Sequence, residues 1–221
     1  MSEEVKYLYP VALNVTGKRC VVVGGGSVGA RKAGALWEAG AVVVVVAPEV
    51  TSSLRSRVEA KQIEWIAEPF APTHLDGAFL VVAATDIPAV NAAVRDAAHE
   101  KGILLNLAAG TDEEGSADHG DYISMATVRR GELLLAVGTG GAGPALSARL
   151  RRKLEAAFGP EWADYVALLG KMREAAKAHI PDPTARTAAL RRLAEDDGLF
   201  EQVMNGDSGA AWEEALECLL R

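Results

Sequence analysis

Residues 24 to 29 read Gly24-Gly25-Gly26-Ser27-Val28-Gly29, which is G-x-G-x-x-G with a further glycine at the first variable place. The spacing has a physical use. One glycine permits a tight turn, a second lets the backbone close on a pyrophosphate, and a third lets a helix pack on a strand. A helix starting here would also turn its free N–H groups and positive partial charge toward phosphates. The chemistry is dinucleotide binding, on condition that a strand precedes the motif and a helix follows. Without a ligand, the entropic cost of so many glycines would serve nothing.

Other candidates stand near it in sequence. Dinucleotide folds place an acid at the end of the second strand, on the ribose hydroxyls. Here Pro48-Glu49 follows Val46-Ala47, so Glu49 is that acid, or else a solvated loop carboxylate. The nearest basic residue, Arg55, comes later, which favours NAD over NADP. Ala83-Ala84-Thr85-Asp86 offers small residues where a nucleotide needs room. Thr85 and Asp86 either face that ligand, or Asp86 caps a helix ahead of Pro88. His74, His99, His119 and His179 show no metal-ligand spacing, and no metal site is expected. No nucleophile elbow of the G-x-S-x-G kind occurs.

These residues need elements to hold them. Arg19-Cys20-Val21-Val22-Val23 is β-branched and runs into the glycines. Residues 28–39 carry apolar positions at helical spacing and stop at Gly40. Residues 42–46, 63–66, 79–83 and 103–105 read as further strands, and 54–60 and 88–101 as helices. Unbroken valine runs suit strands covered on both faces of a parallel sheet. Strands alternating with helices predict a doubly wound α/β sheet of the Rossmann type over residues 1–110. Residues 111–121 hold two glycines and five acids and read as a surface loop. Residues 122–128 and 133–137, around Arg129-Arg130-Gly131-Glu132, predict a β-hairpin inside a central segment, 111–143. Such a hairpin needs a partner surface, and a second copy of the chain would supply one. Helical patterns over 144–154, 162–178, 183–194 and 210–220 make residues 144–221 a small helical domain.

Composition narrows the classes. The chain has 221 residues, 49% hydrophobic and 24% charged, so it is not a disordered chain. Its net charge of −7 argues against nucleic acid as a partner. The longest apolar run, residues 39–47, is far short of the roughly 20 residues of a membrane span, so no membrane partner is expected. Cys20 and Cys218 are too few for a disulfide framework, and the acidic start is not followed by an apolar signal core. The expectation is a cytoplasmic protein.

The motifs in order resemble a known family. Tyr7-Leu8-Tyr9-Pro10-Val11 precedes the first strand, and the glycine motif runs straight into Ala30-Arg31-Lys32. Then come Ala83-Ala84-Thr85-Asp86, Val90-Asn91, Asn106, Arg130-Gly131-Glu132-Leu133, Thr139-Gly140-Gly141 and Pro144-Ala145-Leu146. The combination, covering residues 7–158, resembles precorrin-2 dehydrogenase, of the siroheme-synthase family. The resemblance implies oxidation of precorrin-2, a tetrapyrrole, to sirohydrochlorin with NAD. In some members it also implies insertion of ferrous iron. It implies a homodimer paired through the central segment. It places the nucleotide against Gly24, Gly25, Gly26, Ser27, Val28, Pro48 and Glu49, with Thr85 and Asp86 beside them.

Two departures stand out. The family's Asn-x-x-Asp supplies the proposed catalytic acid/base, but here Asn106-Leu107-Ala108-Ala109 ends in alanine, and extra residues follow. Asp112 is the nearest carboxylate and the catalytic candidate; Asp118 and Asp121 are the alternatives, with His119 behind them. Gly138 stands where the family has serine or threonine. The alternative function is a non-catalytic protein that binds NAD or a tetrapyrrole. Arg129, Arg130, Arg149, Arg151 and Arg152 would suit a substrate rich in carboxylates, or form solvated faces.

Overall fold

The computed structural model describes residues 8–108, 120–140 and 143–220. They fall into two compact units, Met1–Ser124 and Met125–Arg221.

The first unit is built on five parallel strands: β1 (Arg19–Val23), β2 (Val42–Val46), β3 (Glu64–Ile66), β4 (Leu80–Ala83) and β5 (Leu104–Leu107). Their order is β3-β2-β1-β4-β5. Register runs Val23 beside Val46 on one side and beside Ala83 on the other. The helices are α1 (Ser27–Glu38), α2 (Ser52–Glu59) and α3 (Pro88–Lys101), with a 3-10 turn at Pro72–Leu75. Two apolar clusters cover the two faces of the sheet. One contains Val21, Val44, Val81 and Leu105; the other contains Cys20, Val22, Val45 and Val82. Neighbouring strand residues thus face opposite layers, which is why the valines are continuous rather than alternating. α3 stops at Gly102, whose φ of +64° ends a helix at little cost to glycine.

Strand order reverses at β1, between β2 and β4. In open α/β sheets that is where a crevice opens beyond the carboxyl ends. The doubly wound sheet expected from sequence is therefore present, with its switch point at the glycine motif.

Residues 120–124 pack with this unit. Gly120 bridges to Asn106, and Asp121 N–H donates to the Leu105 carbonyl at 2.8 Å. The Asp121 carboxylate accepts from Leu105 N–H, also at 2.8 Å. Tyr122 packs on the cluster around Cys20, and burial pushes its hydroxyl well above the ordinary tyrosine range. The hairpin accordingly starts later than the sequence pattern suggests.

The second unit holds that hairpin, β6 (Ala126–Arg130) and β7 (Leu133–Val137), antiparallel around Gly131 at φ +56°. Five helices follow: α4 (Pro144–Ala157), α5 (Trp162–His179), α6 (Pro183–Ala194), α7 (Asp197–Met204) and α8 (Ser208–Leu220). Tyr165, Leu168, Met172 and Ala176 of α5, spaced three and four apart, form the spine of a core with Leu193, Leu199 and Val203. α7 was not visible in the sequence pattern, because Asp196-Asp197-Gly198 reads as a turn. Asp196 instead caps the helix, accepting from Leu199 N–H at 3.1 Å.

Candidate functional site

A cleft of about 690 Å³ opens at the carboxyl ends of β1, β2 and β4. Its volume falls in the range of sites for small molecules and cofactors. The structure brings Gly24, Gly25, Gly26, Ser27, Val28, Pro48, Glu49, Thr85 and Asp86 together on its wall. Pro69, Phe70, Ile87 and Val90 also line it. Phe70 carried no sequence signal, since it reaches the cleft from the loop after β3.

The glycines do different work. Gly24 sits at φ +126°, and a Cβ there would lie 2.3 Å from the Ala84 carbonyl oxygen. A Cβ on Gly29 would lie 2.1 Å from the Gly24 carbonyl oxygen, so α1 and β1 could not approach. Gly25 is also required: its Cβ would meet the Glu49 carbonyl oxygen at 1.9 Å. Thr51 N–H donates to the Gly25 carbonyl at 3.0 Å, so the loop bearing Glu49 is fastened to the glycine turn.

Gly26 is the exception. It has an ordinary φ of −77°, and a Cβ there would meet no atom within 4 Å. Among the described residues nothing demands glycine at this position. What a side chain would fill is open space where α1 begins. Helix starts leave N–H groups without intrahelical partners. The residues present therefore fit a pyrophosphate lying against the start of α1.

The remaining wall is fixed by short-range bonds. Thr85 Oγ1 lies 2.8 Å from Asn91 Oδ1 and accepts from Ile87 N–H at 3.2 Å. Asn91 Nδ2 donates to the Thr85 carbonyl at 3.0 Å. The residue preceding α3 is Ile87 and no side chain caps it, so the capping reading of Asp86 does not hold; Asp86 is exposed at the cleft. Glu49 is likewise exposed on the wall. Arg55 is turned away to stack on Trp65, 5.2 Å from the ring centre. Trp65 is itself held by its indole N–H, which donates to the Ala47 carbonyl at 2.9 Å.

Of the other sequence candidates, Asp112, Asp118, His119 and the Ala109 position lie outside the described residues. Asp121 is engaged with the backbone of β5 and does not line the cleft. Arg130 is committed to the end of α4: its guanidinium donates to the carbonyls of Phe158 (2.8 Å) and Glu155 (3.3 Å). It is thereby corrected from a candidate carboxylate ligand to a structural residue. Arg151 pairs with Glu155 one turn on, while Arg149 and Arg152 are exposed. His74 accepts from Ala71 N–H and His179 contacts the Ala175 carbonyl; neither lines the cleft. Among the described residues no group of His, Cys, Asp and Glu is placed to hold a metal ion.

Sequence comparison gives the same order of parts. Residues 11–117 match the family described as "Putative NAD(P)-binding". Residues 130–157 match "Sirohaem biosynthesis protein central", and 161–220 match "Sirohaem synthase dimerisation region". A siroheme synthase of Chromobacterium violaceum is 39% identical over 203 residues, covering 92% of this chain and 42% of that protein. The chain belongs to the siroheme synthase family. Siroheme synthase 3 of Aeromonas hydrophila is 37% identical, over 91% of this chain and 42% of its own length. The chain thus spans under half the length of these siroheme synthases. The solved structure named SirC, precorrin-2 dehydrogenase, superposes with a TM-score of 0.74 at 25% identity, covering 96% of this chain and 98% of that one. The first unit is accordingly an NAD(P)-binding domain of the siroheme synthase type. No helix among the described residues is long and apolar enough to cross a membrane.

Proposed function

We propose that the chain is an NAD-dependent dehydrogenase that oxidises precorrin-2 to sirohydrochlorin in siroheme biosynthesis, in the cytoplasm. The observation that carries this is Gly26: its missing side chain leaves the start of α1 open in a cleft of dinucleotide size. The family membership and the SirC likeness supply the substrate class. Glu49 on the wall, with Arg55 held on Trp65, supports NAD over NADP, because a 2′-phosphate would meet the Glu49 carboxylate and no basic residue lines the cleft among the described residues.

Oxidation removes a hydride and a proton from the macrocycle. The nicotinamide, when bound, accepts the hydride. The chain holds the pyrophosphate at Gly24, Gly25, Gly26, Ser27 and Val28, the ribose at Glu49, and the far wall at Thr85 and Asp86. The proton goes to a carboxylate, and Asp112 is assigned that role. The active form is a homodimer, supported by the dimerisation-region match over residues 161–220, with the hairpin of β6 and β7 as a further part of the pairing surface. Three functional parts, 1–110, 111–143 and 144–221, then serve the cofactor, the central hairpin and the helices that hold the matched dimerisation region.

The deciding experiment is turnover of precorrin-2 with NAD, followed by NADH absorbance. Asp112→Ala is expected to lower kcat by about 10²-fold, the scale of a lost general base, with NAD affinity unchanged. Asp118→Ala is expected to cost much less. NAD binding without turnover by the unaltered chain would instead establish the non-catalytic reading that Ala109 raises.

A further inference from the structure

The only buried polar side chain among the described residues is Asn106, 3% exposed, in β5. Its Oδ1 accepts from Lys32 Nζ at 2.8 Å, and its Nδ2 donates to the Tyr122 carbonyl at 2.8 Å. Lys32 Nζ also donates to Ser124 Oγ at 2.7 Å. One amine thus joins three elements of the first unit. It stands on α1, five residues past the Ser27 that lines the cleft. It reaches β5, and it reaches residues 120–124, which return the chain to β5. β5 in turn pairs with β4, and Ala108 N–H donates to the Ala83 carbonyl at 2.9 Å, next to Ala84 and Thr85 on the cleft wall.

A lysine is an expensive tie for purely structural use, since burying an ammonium costs solvation. Among the described residues both hydrogen-bond partners of Lys32 are neutral oxygens, and burial, with Arg31 adding repulsion, lowers its proton affinity to a pKa of about 8. Two acceptors are what a neutral amine, with two N–H groups, can also satisfy. The hydrogen bonds rather than the charge therefore define the tie.

We propose that Lys32 is a positioning residue of the dehydrogenase. Donating to Asn106 and Ser124 together, it fixes the helix that receives the pyrophosphate against the β5 edge, where the chain leaves and rejoins the sheet. Lys32 itself touches neither cofactor nor cleft. The assignment rests on the function proposed above for its kinetic consequence, but not for the tie itself.

The test uses the full chain with Lys32→Met, Lys32→Arg, Ser124→Ala and the Lys32→Met/Ser124→Ala double variant. Lys32→Met is expected to lower kcat for precorrin-2 by 10-fold or more, with the NAD Kd within twofold of the unaltered chain. Lys32→Arg keeps two donors and is expected to recover most of that loss. Ser124→Ala is expected to cost a few-fold alone and nothing further in the double variant, since the two act as one unit. Amide hydrogen exchange supplies a readout independent of turnover. The Asp121 N–H, bonded to the Leu105 carbonyl, is expected to exchange at least 10-fold faster in Lys32→Met than in the unaltered chain. An unchanged kcat in Lys32→Met, or additive losses in the double variant, would overturn the proposal. If the unaltered chain does not oxidise precorrin-2, the dehydrogenase reading fails. Faster Asp121 exchange would then still establish the tie, and unchanged exchange would remove it.

Discussion

The β-structure of the two units differs sharply in how it is buried. In β1, β2 and β5 all but one residue of each strand is buried, and in β4 all four are. In the hairpin only Val128 is buried, and α4 beside it buries no residue fully. The first arrangement satisfies itself, because helices close both faces of a parallel sheet. The second leaves apolar surface, with Leu134 38% and Leu146 49% exposed. Buried sheet and exposed hairpin thus lie in different stretches of one chain, and substitutions in each should move different observables.

The sharpest contrast lies in the sheet. Leu105→Ala removes a fully buried side chain and is expected to cost about 2–5 kcal/mol in denaturant unfolding. A cost below about 1 kcal/mol would mean that the first unit is not the rigid partner in the comparison. Next come the glycines. Gly26→Val is expected to weaken NAD at least 10²-fold by calorimetric titration while Tm barely moves, because the side chain meets only open space. Gly29→Ala should do the reverse in kind, lowering Tm, since its Cβ lies 2.1 Å from a backbone carbonyl.

A smaller effect concerns pH. Lys32 binds its proton less tightly in the folded chain, near pH 8 against an ordinary 10.5. Below about pH 9 the unfolded chain carries more protons at this site, so stability should rise with pH there; above it the raised Cys20 thiol, which keeps its proton longer in the folded chain, acts in the opposite direction. Urea midpoints measured from pH 7.5 to 9 should rise in the unaltered chain, with a slope that is shallower in Lys32→Met. Smallest in stability is Leu134→Glu on the hairpin, expected to cost under about 1 kcal/mol. Its effect should appear in light scattering instead, as a mass falling toward the 23.2 kDa of one chain. An unchanged dimer would place the pairing surface elsewhere.

The same division explains what could be read from sequence. The sheet was legible because valine runs, terminal glycines and Pro88 report local physics, and α3 and α6 occupy the expected spans. The cleft was legible because the glycine motif is itself a geometric constraint. Long-range commitments were not. Tyr122 reads as a strand residue, yet residues 120–124 bond to β5 instead. Gly25 reads as a nucleotide contact, yet it is also required by the loop after β2, 24 residues further along. Arg130 reads as a free cation, yet two carbonyls at the end of α4 hold it. Each depends on a partner that no spacing rule links to it.

Five consecutive valines make up β2, with no charge among them. In the native sheet that strand is interior, its two edges paired to β1 and β3. Before the sheet closes, the same stretch has the composition of a cross-β segment: β-branched, uncharged and free of proline. Gly40 and Pro48, just outside it, are the residues that limit its spread. Refolding from denaturant is therefore a race between pairing with β1 and pairing with the β2 of another molecule. Only the second depends on concentration, so dilution should raise the yield more than cooling or added cofactor does.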